Sequence, residues 1–99
     1  EYFVDKTLEF MERNRDRAFF VNLWPDDMHT PYVPDAIVQT QNSTWSTPRN
    51  FKAVLKEYDT QIGRLLDGMK RLGLDKNTIV IFTSDNGPMP YYEQQRTNV

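Results

Sequence analysis

The chain has no cysteine among its 99 residues. That excludes disulfides, thiolate zinc sites and any cysteine-derived catalytic group within them, and it leaves the redox compartment open. It has one histidine, His29, so an imidazole-rich zinc site is excluded as well. Charge of one sign is also lacking. A net charge of -2 gives no electrostatic reason to expect nucleic acid or an anionic membrane as partner. No apolar run approaches the roughly 18 residues of a membrane span, and no internal repeat or low-complexity tract is present. No leader pattern is visible. The chain opens directly in a helical pattern, as an internal segment of a longer protein would.

What is there suits one small domain at most, with ordinary hydrophobic (38%) and charged (26%) content. Residues 2–16 set Val4, Leu8 and Met11 beside the line of Phe3, Thr7, Phe10 and Asn14, with charge on the other face. This predicts an amphipathic helix. Residues 18–24 lose that period and read as a mostly buried strand closed by Pro25. Residues 25–48 carry four prolines and many polar side chains, a loop long enough to suggest function.

The strongest pattern follows. From Phe51 through Val54, Leu55, Tyr58, Ile62, Leu65, Leu66 and Met69 to Leu72, apolar residues keep helical spacing. This predicts a helix over 48–72, with Thr47 as N-cap, Pro48 at its first position and Gly73 as its stop. Leu74 is expected to fold back on the last turn. Residues 78–83 predict a second buried strand, and 84–99 a loop. Strand, helix and strand in this order make a βαβ-type unit of an α/β fold, cut from a parallel or mixed sheet flanked by helices. Parallel strands end at one sheet edge, so His29 and the Asp85-Asn86 pair are expected around a single cleft.

Each candidate carries a functional and a plain reading. Asp85 and Asn86 offer the hard oxygen donors that calcium and magnesium choose, yet Asn-Gly is also a common turn dipeptide. Two ligands fall short of the roughly 6–8 oxygens that calcium takes. His29 can donate a proton or contact an anion, or it can be an exposed loop histidine. Asp26 and Asp27 are metal candidates that Pro-Asp turn chemistry explains as well. Asn42-Ser43-Thr44 matches the N-glycosylation pattern, which matters only in a secreted protein. Tyr32, Trp45, Tyr91 and Tyr92 are candidates for stacking on a sugar or aryl ring.

Several of these segments, taken in order, resemble the sulfatase family of the alkaline-phosphatase-like superfamily. They are Phe19-Phe20-Val21-Asn22-Leu23, His29-Thr30-Pro31, the helix with Tyr58-Asp59-Thr60-Gln61-Ile62-Gly63-Arg64, and Asn77 through Gly87 with its Thr83-Ser84-Asp85-Asn86-Gly87 close. The resemblance implies part of a larger three-layer α/β/α catalytic domain that hydrolyses sulfate monoesters. It implies calcium, in preference to magnesium, held in part by Asp85 and Asn86. His29 would contact the sulfate and assist catalysis. A formylglycine nucleophile is expected outside this segment, so the segment alone would be inert. Implied partners are a sulfated small molecule or carbohydrate and the remainder of the domain, and the implied compartment is periplasmic, secreted or lysosomal. Ser46-Thr47-Pro48-Arg49 resembles the nucleophile motif, but its arginine comes one position early. The runner-up readings are a phosphoester or phosphonate hydrolase of the same superfamily and a non-catalytic sulfatase-like binding module.

Overall fold

The computed structural model describes residues 2–25, 28–29, 32 and 48–87. Two helices organise them: α1, Tyr2–Asn14, and α2, Pro48–Arg71. Helix α1 buries Val4, Thr7 and Met11, one stripe at spacings of three and four residues. It ends two residues short of the expected Asp16. There the Asn14 side-chain amide donates to the Phe10 carbonyl at 2.8 Å, and the Arg17 amide donates to the Asn14 carbonyl at 3.0 Å. The second bond occupies the Asn14 carbonyl, which a further helical turn would have used.

Helix α2 ends where glycine allows it. Gly73 has φ of +72°, and its amide donates to the Lys70 carbonyl at 3.0 Å. The Leu74 amide donates to the Met69 carbonyl at 2.9 Å. That pair of bonds is a Schellman motif, and its usual apolar contact is present, since Met69 and Leu74 are both buried in one cluster. Met11 joins them from α1, with Leu8, Phe19, Val21, Leu65 and Leu72 packed around.

Contacts between the helices fix their relative direction. Asp5 meets Arg64, and Leu8 lies against Gly68. Position rises along α1 as it rises along α2, so the two helices run the same way. Glycine at position 68 is what permits the approach, because a Cβ built there would fall on the Leu8 side chain.

The sheet expected from the sequence is absent among the described residues. Neither 18–24 nor 78–83 is a strand, and no backbone hydrogen bond joins them. The predicted α/β unit is therefore corrected to a pair of parallel helices with two unpaired segments laid against them. The expected burial fails in a specific way. Exposure alternates from Phe19 to Trp24, with Phe20 at 86%, and Ile79 and Ile81 stand at 89% and 83%. The apolar runs suit a strand covered on both faces. Among the described residues only the helices cover these segments, and a pair of strands alone makes a marginal ladder.

Candidate functional site

Both segments run back along α2 from its C-terminal end. Phe19 and Val21 pack on the cluster of Met11, Met69 and Leu74 at that end. By Tyr32 the chain has reached the first turn of the helix. The Tyr32 ring meets Phe51 edge-on at 5.3 Å, and its backbone carbonyl accepts a hydrogen bond from Asn50 Nδ2 at 3.3 Å. The second segment leaves the same cluster after Leu74 and brings Phe82 to within 6.3 Å of Tyr58, centroid to centroid.

Phe51 and Tyr58 are seven residues apart, hence on one face of α2 and about 10 Å apart along its axis. Tyr32 and Phe82 therefore sit over a common helical face. His29 lies three residues before the first, and Asp85 three residues after the second. Each is tethered within about 11 Å of its anchor by the reach of three peptide units.

His29 is exposed at a bend in the chain. Asp85 and Asn86 are exposed too. Asn86 Nδ2 donates to Asp85 Oδ2 at 2.8 Å, and Ser84 Oγ donates to the Asn86 carbonyl at 2.5 Å. The Asn86–Asp85 bond uses the amide nitrogen and not the amide oxygen, so the donor that a hard cation needs is not consumed by it. The donor set thus fits an oxygen-seeking ion such as calcium, and it excludes neither calcium nor magnesium. No group of three acidic or histidine side chains able to hold a metal occurs among the described residues. Completing such a site takes ligands beyond them.

Elsewhere, Lys6 on the outer side of α1 is held above its ordinary 10.5 by its hydrogen bond to Glu9 and then by the Glu9 charge. It lies on the helix that carries none of the three candidate residues. Asp26, Asp27, Asn42, Ser43, Thr44, Ser46, Thr47, Trp45, Tyr91 and Tyr92 fall outside the described residues.

Two features were missed in the sequence. Tyr32 is no exposed stacking platform: it is buried, at 5%. Asn50 is also buried, at 6%, and is the polar partner that fixes the loop. The available signal was its position one turn before Val54, on the apolar stripe, where an exposed asparagine is out of place.

Residues 1–98 match the family model for sulfatases. The chain belongs to the sulfatase family. It is 30% identical over 86 residues to an N-acetylgalactosamine-6-O-sulfatase of Bacteroides thetaiotaomicron, covering 87% of this chain and 16% of that protein. It is 37% identical over 59 residues to an arylsulfatase of Klebsiella aerogenes, covering 56% and 13%. It is 30% identical over 90 residues to the N-acetylgalactosamine-6-sulfatase of Rattus norvegicus, covering 88% and 16%. This sulfatase-family chain therefore spans about a sixth of the length of such relatives. No solved structure matches it. No helix among the described residues is long and apolar enough to cross a membrane.

Proposed function

We propose that this chain is the part of a sulfuric ester hydrolase that supplies the sulfate-contacting histidine, His29, and two calcium ligands, Asp85 and Asn86. The reaction is hydrolysis of a sulfate monoester to an alcohol and sulfate. The substrate is a sulfated carbohydrate or small molecule, in line with relatives named for N-acetylgalactosamine sulfate and aryl sulfate. The nucleophile belongs to the protein outside this segment, so the segment alone is inactive.

The observation that carries this reading is the shared face of α2, with Tyr32 on Phe51 and Phe82 on Tyr58. It gives the histidine and the oxygen pair short tethers from one surface. In this reading the Asp85 carboxylate and the Asn86 amide oxygen hold the ion, which supplies electrostatic stabilisation of charge on sulfate oxygens. His29 contacts the sulfo group and moves a proton to or from the departing oxygen, a role suited to imidazole near neutral pH. An Asp-Asn pair with no second imidazole favours sulfate over a phosphoryl substrate bound through transition metals.

The test uses the full-length protein with para-nitrophenyl sulfate, para-nitrophenyl phosphate and N-acetylgalactosamine sulfate. Turnover of a sulfate ester, reduced about 100-fold or more by His29→Ala, is expected. Turnover of the phosphate alone, or of none of the three, overturns the proposal.

A further inference from the structure

We propose that Asn50 and Phe51, in the first turn of α2, are positioning residues for His29. They act by clamping Tyr32, the held residue three positions after the imidazole. The inference deepens the reading above and rests on His29 acting on the sulfate.

Tyr32 is held in two ways at once. Asn50 Nδ2 donates to its backbone carbonyl at 3.3 Å, a buried bond across 18 positions of sequence. Phe51 receives its ring edge-on, at 5.3 Å and an interplanar angle of 74°. Main chain and side chain of one loop residue are thus both tied to a rigid helix, and both partners sit in the same turn of it. His29 is exposed three residues upstream, while Tyr32 and Asn50 are buried. The tether is short, with a reach of about 11 Å at full extension. The clamp on Tyr32 therefore limits the region that His29 can occupy. Displacement of a reacting group by about 1 Å can cost up to a hundredfold in rate even when its cause lies away from the chemistry.

Burial also argues for a dedicated role. An amide side chain removed from water is retained where its hydrogen bonds are made, and one of those made by Asn50 goes to this loop carbonyl. Nothing in the helical pattern of 51–72 requires a polar group at position 50.

The experiment uses the full-length protein, the sulfate ester it turns over, and single and double variants. Asn50→Asp keeps the shape and loses the donor; Asn50→Gln keeps a donor; Phe51→Leu keeps apolar burial and loses the ring edge. We expect Asn50→Asp to lower kcat about tenfold with KM changed less than threefold, and Asn50→Gln to restore most of the loss. Phe51→Leu should lower kcat by a smaller factor, and it serves alone if Asn50→Asp does not fold. In a His29→Ala background each change should cost less than twofold further, because the group they position is gone. Losses of equal size with and without His29 would show a general effect on folding and overturn the inference, as would wild-type kcat in both Asn50→Asp and Phe51→Leu. Full activity of His29→Ala would overturn this inference together with the role assigned to His29. A large His29→Ala loss with additive Asn50 and Phe51 effects would overturn this inference alone.

Discussion

Gly68 on α2 lies directly beneath Leu8 of α1, so close that a side chain on the glycine would occupy the space of the leucine's methyl groups. The interhelical contact at this point depends on a missing Cβ. A glycine inside a helix ordinarily costs about 1 kcal/mol relative to alanine, and here that cost is offset by contact between the helices.

Substitution at position 68 should therefore go against propensity. Alanine gains about 1 kcal/mol of helix preference but forces Leu8 aside, and overpacking costs about 1–3 kcal/mol. Gly68→Ala is expected to be neutral to mildly destabilising and Gly68→Val clearly destabilising. Pairing either with Leu8→Ala should recover part of the loss. Denaturant unfolding of the three single and two double variants checks this, and strictly additive values would contradict the contact.

Gly73 is a separate case, because nothing lies within 4 Å of where its Cβ would be. Its requirement is conformational only, from φ of +72°. Gly73→Ala should destabilise by about 1–2 kcal/mol, and Gly73→Asn by less, since asparagine tolerates that region. A stabilising Gly73→Ala, read as a higher thermal midpoint, would refute the left-handed assignment.

The Asp5–Arg64 ion pair, 2.6 Å between Oδ1 and Nη2, links the two helices with side chains 44% and 37% exposed. Solvent screens it. Asp5→Asn should cost no more than about 1 kcal/mol, and less as salt is added. A loss well above that, insensitive to ionic strength, would mean the pair sits in a much drier setting.

On the proposed function, chelating divalent ions from the full-length enzyme should abolish turnover of the sulfate ester. Calcium should restore it better than magnesium, because flexible oxygen sites suit the larger ion. Asp85→Ala should weaken calcium affinity at least about tenfold, more than Asn86→Ala, because it removes a charged ligand. Calorimetric titration of both variants decides the order. Unchanged calcium affinity in Asp85→Ala would remove it from the ligand set.

Much of the helical layer was legible in the residues. The stripe of Phe51, Val54, Tyr58, Leu65 and Met69 marks α2, and Gly73 with Leu74 announces its end, because hydrogen bonds and burial there are local. The sheet was not legible. Residues 18–24 and 78–83 carry strand-like composition, but pairing is a non-local event, and composition cannot say whether a neighbour is present. Tyr32 misled for a related reason: a loop tyrosine next to histidine and proline looks exposed until a helix 18 positions away takes it in.

By itself the chain of residues determined its family, its helical stretches and the oxygen and imidazole donors it can offer, since these depend on side-chain chemistry and on spacings of three to eleven positions. Tertiary structure alone decided that α1 and α2 run the same way, that both returning segments cross one face of α2, and that Asn50 holds Tyr32. Those outcomes depend on which distant surfaces exclude water together, and on a glycine whose lack of a side chain matters only once Leu8 lies above it.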